Sequence, residues 1–442
     1  MVDDWSNVTV EEIKSAKPHA MAMGPFGSDI KSDNFVSSGV PIIRGVNLGT
    51  ERFNDDDFVF LTEQKADELH SANAFPDDII FTHRGTLGQV GIIPHNARYP
   101  RYVVSQSQMK LSCNTKKVNP LFVFYYFRSP VGQHALLVNT STTGVPAIGQ
   151  PLTSLRSIHL TLPPLSEQHA VAHILGSLDD KIELNRQMNK TLESMAGAIF
   201  NSWFIDFDPV RAKMEGLKPY GMNDETAALF PDSFEVSTLG EIPKGWKVGL
   251  LGNVADNPRR GITPNDVNQS TPYIGLEHMP RKSIALSEWG LAQDVTSNKY
   301  RFYQGEILFG KLRPYFHKVG VAVQDGVCST DILVIIPKSS EWYGFVLAHV
   351  SSDEFIQFTD AASTGTKMPR TNWTDMKAYK IILPPKIIAE HFNKTVQSMI
   401  EAIESNIMQS QTLVSIRDAL LPKLLSGEIR VKEAEKYAEA HL

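Results

Sequence analysis

Residues 171, 175, 178, 182, 185, 189, 192, 196, 199 and 203 step strictly by 4 and 3, and they read Val, Leu, Leu, Ile, Asn, Asn, Leu, Ala, Ile, Trp. Such a seam, sustained over five heptads, predicts a long helix that pairs with another rather than a simple amphipathic helix on a core. Adding 221 to each position gives Phe392, Val396, Met399, Ile403, Asn406, Ser410, Leu413, Arg417, Leu420 and Leu424, so the seam recurs with Arg417 in place of Ala196. Helix pairing is assigned to Leu175, Leu178, Ile182, Asn185, Leu192 and Ile199 against Val396, Met399, Ile403, Asn406, Leu413 and Leu420. Ser166 is the expected N-cap of the first helix, with Glu167 favourable near its dipole. Pro422 is expected to end or kink the second.

Asn185 lies midway along a helix running from about residue 166 to 204, and Asn406 takes the same place in the second helix. Midpoints face each other only in an antiparallel pair, which also suits the connectivity. A polar seam residue fixes register when it meets a polar partner, so Asn185 and Asn406 are predicted to lie opposite. A helix of about 38 residues spans roughly 57 Å. That is the length of about 17 base pairs of B-DNA, enough to set two domains on separate patches of one duplex.

The rest of the chain is also written twice. STTGVPAIGQPLTSLRSIHLTLPP ends at Pro163-Pro164 and STGTKMPRTNWTDMKAYKIILPP at Pro384-Pro385. Gly144 matches Gly365 and Leu162 matches Leu383 at the same offset, and Asp78-Ile79-Ile80-Phe81 resembles Glu306-Ile307-Leu308-Phe309 at a slightly different one. Runs such as 58–60, 79–81, 102–111 and 332–336 are β-branched or aromatic and bounded by Gly, Pro and Asn, which predicts strands. Short helical patterns intervene at 120–127 and 342–350. The fold class is α+β: two strand-rich domains, separated by two long antiparallel coiled-coil helices, in a pseudo-twofold internal repeat. The expected segments are a first domain at 1–165, a spacer helix at 166–206 and a linker at 207–236. A second domain at 237–385, a second helix at 386–426 and a charged tail at 427–442 complete the chain.

Composition adds one feature. The net charge of −6 argues against nucleic acid, but its distribution does not: residues 1–78 hold 6 Lys/Arg against 15 Asp/Glu, whereas residues 79–166 hold 8 Lys/Arg and no carboxylate. A solvated face mixes both signs, so the acid-free run suggests a surface set against phosphates. Cys113 and Cys328 stand far apart and away from histidines, which supports neither disulfide nor zinc and fits a reducing cytoplasm. No apolar run reaches a membrane span, and the first residues do not resemble a signal peptide.

The segment Phe207 to Val248, the ending LLPKLLSGEIRV, and the strings PIIRGVNL (41–48) and PYIGLEHM (272–279) resemble the specificity (S) subunits of type I restriction–modification enzymes. The likeness extends over nearly the whole chain. It implies two target recognition domains, each reading one half of a split, asymmetric site in double-stranded DNA. It also implies that the helices dock two modification (M) subunits, which bind S-adenosylmethionine and methylate adenine, and that restriction (R) subunits using ATP and Mg join them. No cofactor is expected in this chain and no catalysis. Consistent with that, the sequence lacks a Gly-x4-Gly-Lys-Ser/Thr loop, an Asn-Pro-Pro-aromatic motif and an HExxH helix. The Pro-Asp pairs at 76–77 and 231–232 lack the acidic-x-Lys sequel of a nuclease. A stand-alone two-domain DNA-binding protein and a coiled-coil scaffold that binds no DNA are the alternatives.

Read as one strand, residues 102–111 put Tyr102, Gln106, Gln108 and Lys110 on one face. Gln can contact adenine and Lys guanine or phosphate, although a solvated strand face would look the same. Arg84 in the first repeat and Lys311 with Arg313 in the second occupy similar places and are candidates for phosphate or base contact. The turns at Thr142-Thr143-Gly144 and Thr364-Gly365-Thr366-Lys367 could offer N–H and hydroxyl groups to phosphates, or be ordinary turns. Arg44 and Arg370 join the candidates. Lys116-Lys117 and Arg259-Arg260 are most simply solvated loop charges, with Arg260 kept as a possible contact.

Overall fold

The two heptad patterns fold as helices Leu165–Phe200 and Lys386–Ser426 in the computed structural model, which describes residues 4–141, 143–365 and 367–441. The first helix begins one residue before Ser166, so that serine stands in the first turn and not at the N-cap. Its start is pinned instead by buried Gln168, whose side chain donates to the Pro163 carbonyl (2.9 Å) and accepts from the Asn119 amide (2.9 Å). Beyond Phe200 the helix relaxes into a π turn, Asn201–Ile205, which buries Trp203 and Phe204. Pro422 lies inside the second helix and does not end it. Leu420, Leu421 and Leu424 are buried around the proline, and this packing holds the last turns together.

The chain divides into two compact units, Met1–Glu183 with Thr412–Leu442, and Leu184–Gln411. The division cuts both long helices, so each unit carries one globular part and a length of each helix. In the first unit, Leu175, Leu178 and Ile182 pack in one core with Leu413, Leu420 and Leu424. The helices run in opposite directions: Asp179 of the first pairs with Arg417 of the second, and Glu167, near the start of the first, reaches Arg430 just beyond the end of the second. In the second unit, Ala196, Ile199 and Phe200 share a core with Phe392, Val396 and Ile400, and Leu192 packs with Ile403 and Ile407. The sense is again antiparallel. Asn185 is fully buried, and its amide donates to the Asn406 carbonyl (3.3 Å), Gln409 Oε1 (2.9 Å) and Ser410 Oγ (3.2 Å). Asn406 in turn donates to Asn189 Oδ1 (2.9 Å). The asparagines meet as the seam requires. The buried face is wider than a strict 4-3 seam: Ile400 and Ile407 are core residues, while Met399 is only half-buried.

Each globular part is built on the same plan. In the first unit, strands Met21–Met23, Gln108–Leu111, Ile79–Thr82 and Val90–Ile92 form an antiparallel sheet in that order. A second sheet runs Val59–Leu61, Val40–Ile43, Tyr102–Val104, Asn73–Ala74, with its middle pair parallel. In the second unit, Ala255–Asp256, Ile332–Pro337, Ile307–Gly310 and Val319–Val321 repeat the first sheet. A five-stranded sheet, whose Pro272–Ile274 and Gly326–Cys328 are likewise parallel, repeats the second. A detached two-stranded ladder also recurs, Ser6–Thr9 with His159–Leu162 and Lys247–Leu250 with Lys380–Leu383. The strand expected over 102–111 is two strands in different sheets, separated by a turn at 105–107.

The segment 207–236 belongs to the second unit and is not a free linker. It holds helices Asp208–Met214 and Asp224–Leu229 and puts Phe207, Val210 and Phe230 into the core. In the tail, helix Val431–His441 packs on the first unit's core through Ala434, while Arg430, just before it, reaches Glu167 at 2.8 Å.

Candidate nucleic-acid interface

The acid-free run does not offer eight cations to solvent. Lys110, 3% exposed, lies 3.6 Å from Asp78 and donates to the Asn73 carbonyl. Arg101 pairs with Glu63 and Asp67, and Arg156 with Glu11. Arg128 is spent on the carbonyls of Thr50 and Glu51, and Lys117 on that of Glu12. Acids of residues 1–78 and cations of 79–166 therefore meet inside one unit, and much of the segregation along the sequence is internal pairing. Arg84, Arg98 and Lys116 remain exposed, with no ion pair to a carboxylate among the described residues, and Arg98 lies over the Tyr99 ring.

Arg84 stands where three segments converge. At the end of Ile79–Thr82, His83 donates its amide to the Ser107 carbonyl (2.9 Å), and its Nε2 lies 3.1 Å from the Gln106 carbonyl. Burial lowers the His83 pKa, favouring the neutral ring. The Ile148 amide donates to the His83 carbonyl (2.9 Å) and the Gly85 amide to that of Pro146 (2.8 Å). The turn at 105–107 and the hairpin Thr140–Ser141/Ala147–Ile148 thus close on the loop that carries Arg84.

The second unit repeats this construction. Past Ile307–Gly310, the Lys311 amide donates to the Asp331 carbonyl (2.9 Å), and the Thr371 amide to the Lys311 carbonyl (3.1 Å). Arg313, in the left-handed region at φ 51°, donates its amide to the Pro369 carbonyl (2.7 Å). Leu312 bridges to Arg370 as Arg84 does to Ala147.

Several expected contacts thus come together: Arg84, Gln106 and the hairpin of Thr143 in one cluster, and Lys311, Arg313, Lys367 and Arg370 in the other. Thr142 and Thr366 lie outside the described residues. Arg84, Gln106, Thr143 and Lys367 are exposed. Arg313 is partly committed, since its Nη2 donates to the Lys367 carbonyl at 3.3 Å. The face proposed for 102–111 is corrected. Tyr102 is a core residue bonded to Asp55 (3.2 Å), and Lys110 is the buried partner of Asp78. Buried Gln108 ties the turn at Ser105 to Thr82. Only Gln106 faces solvent, because the turn breaks the alternation on which a single face depended. Arg44 donates to the Asp57 carbonyl (2.7 Å), and Arg260 makes a bidentate pair with Glu306 (2.8 Å each) over the Tyr303 ring. Neither belongs to a cluster.

Asp331 was not singled out in the sequence, although Ser329-Thr330-Asp331 matches Ser105-Gln106-Ser107 at an offset of 224. Its carboxylate receives Arg370 Nε at 3.1 Å. Among the described residues no group of His, Cys, Asp and Glu could hold a metal ion, and no helix is long and apolar enough to cross a membrane.

A different surface lies on the first long helix within the second unit. Leu184, Met188 and Met195 are 48%, 42% and 48% exposed, and with Thr191 they step by 4, 3 and 4 along one face. Large apolar side chains left open in this pattern suit another helix.

Comparison with known proteins agrees with this architecture. The family model described as type I restriction modification DNA specificity domain matches twice, over residues 23–194 and 243–412. The chain is 29% identical over 401 residues to the specificity subunit of the type I restriction enzyme HindI of Haemophilus influenzae, covering 78% of this chain and 87% of that one. It is 26% identical over 392 residues to the MjaIX specificity subunit of Methanocaldococcus jannaschii, covering 84% and 82%. The crystal structure of a type I S subunit from M. genitalium shares the fold, with a TM-score of 0.52 at 15% identity over 95% of this chain and 96% of the other. With both halves matched, the chain belongs to the type I restriction–modification DNA specificity family.

Proposed function

We propose that the protein is the non-catalytic specificity subunit of a cytoplasmic type I restriction–modification complex and reads a bipartite, asymmetric DNA site. Each loop cluster takes one half-site, and the helices dock two modification subunits, which restriction subunits join. S-adenosylmethionine, ATP and Mg then belong to those partners. The observation that carries the reading is the repeated cluster: two units build the same three-segment surface and populate it with different polar side chains. One scaffold with two chemistries suits two unlike half-sites. Co-expression with the cognate modification subunit, followed by mapping of methyl-adenine in host DNA, should give a split motif with one methylated adenine in each half. Random or absent methylation with an active partner would sink the reading.

The open face of Leu184, Met188 and Met195 supplies the docking surface. Apolar anchors in desolvated centres dominate such interfaces. Met188→Glu with Met195→Glu should therefore weaken co-purification of the modification subunit by about tenfold or more. Both side chains are exposed, so the fold should be unchanged by circular dichroism. Undiminished capture by the double variant would place the docking surface elsewhere.

A further inference from the structure

Asp331 is a carboxylate set among Lys311, Arg313, Lys367 and Arg370, on the surface assigned above to DNA. Facing phosphates it would be repelled, so its presence needs another reason. Its two oxygens lie 3.1 Å from Arg370 Nε and 3.5 Å from Nη2. This side-on grip leaves the outer Nη1/Nη2 edge of the guanidinium available, and Nη1 has no hydrogen bond among the described residues. The backbone of Arg370 is fixed as well, because its amide and carbonyl both bond to Thr364 (3.0 and 3.1 Å). Yet the side chain is 44% exposed. A guanidinium held at its inner edge and open at its outer one is pre-organised, and the free edge is the fork that matches O6 and N7 of guanine.

The first unit argues against a purely structural role for the pair. Equivalent backbone hydrogen bonds place Ser107 where the second unit has Asp331, and Ala147 where it has Arg370. The same loops close there with neither charge, so the ion pair is not required to hold them. Both members change together between the units, as expected if they work as one device. We infer that Arg370, positioned by Asp331, reads a guanine in the half-site taken by the second unit. This inference rests on the function proposed above.

The test is methyl-adenine mapping with the complete complex of wild type and three variants. Arg370→Ala should relax a single G·C position in one half of the motif, lowering discrimination there by about 10- to 100-fold and leaving the other half unchanged. That unchanged half is an internal control for folding and assembly. Arg370→Lys keeps the charge but loses the fork, so it should relax the same position while methylation at the consensus site persists. Asp331→Ala should relax that position to a smaller degree, since the fork remains but is no longer held. The inference is overturned if the motif of Arg370→Ala is unaltered, or if its loss is uniform over all sequences, as for a phosphate contact. It is also overturned if Arg370→Lys reads as wild type, or if Asp331→Ala relaxes a position that Arg370→Ala leaves intact. Absence of a split motif from the wild-type complex would remove the proposed function itself, and the inference with it.

Discussion

Replacing Arg417 by alanine is expected to destabilise the first unit by about 3–5 kcal/mol, the cost of leaving one buried charge without its partner. Arg417 stands at a seam position, where Ala196 stands in the other helix, and it reaches Asp179 Oδ1 at 2.8 Å. The second oxygen of Asp179 accepts the Tyr125 hydroxyl at 2.6 Å, and Arg52 approaches the same carboxylate at 3.9 Å while pairing with Asp180. Burial beside this carboxylate pushes the Tyr125 pKa up, so the phenol stays protonated and donates. Without Arg417 the Asp179 carboxylate keeps one neutral donor and one distant cation. At the corresponding place in the second unit, Ala196 and Ile400 pack in the core with no charge. The apolar solution should therefore be transferable. Asp179→Ile with Arg417→Ala and Tyr125→Phe is expected to recover most of the loss, because a well-packed apolar replacement of a buried ion pair is often neutral or stabilising. Hydrogen exchange of the amides at 171–178 measures both effects locally. A triple variant as weak as Arg417→Ala alone would refute the transfer.

The same residue shows where the sequence speaks and where it is silent. A period of 4 and 3 is a one-dimensional signal, so the two helices, their antiparallel sense and the meeting of Asn185 with Asn406 followed from position alone. The seam also exposed Arg417 as an exception. Its partner Asp179, however, lies beside the seam, and the second cation on that carboxylate, Arg52, comes from across the fold; no period connects those positions. The loop clusters were legible where the repeat aligned Arg84 with Lys311 and Arg313. The strand at 102–111 was misread because its turn is made of Ser105, Gln106 and Ser107, without the glycine or proline that marks a turn. Likewise the acid-free run pointed outward only while its partners, Asp78, Glu63, Asp67 and Glu11, were counted as a separate acidic segment. Charge patterning along a chain describes a surface only when the fold leaves those charges unpaired.

Acid should weaken the second unit through His349. This histidine is 6% exposed and packed against the rings of Phe200 (4.8 Å), Phe345 (4.5 Å) and Tyr379 (6.4 Å), and its Nε2 is buried without a hydrogen-bond partner. Burial among aromatic rings penalises the imidazolium and pushes the pKa down to about 3. In the unfolded chain the same group titrates near 6.5. Between those values the unfolded state binds a proton that the folded state does not, so stability rises with pH and is lost as pH falls. Above about 6.5 both states are neutral and nothing is lost. From pH 7 to pH 5 this one group costs about 2 kcal/mol, at about 1.4 kcal/mol per unit below the unfolded value. His349→Leu removes the titration, so its urea midpoint should shift far less over that interval, with the slope m unchanged. Tryptophan fluorescence reports on the relevant unit, because five of the six tryptophans, Trp203, Trp246, Trp289, Trp342 and Trp373, lie within Leu184–Gln411. His83, whose pKa is also lowered by burial, lies in the other unit and persists in the variant, so acid sensitivity should survive there while it fades around His349. An equal acid shift in wild type and His349→Leu would show that the aromatic core tolerates the imidazolium, contrary to the cost of burying an unpaired charge.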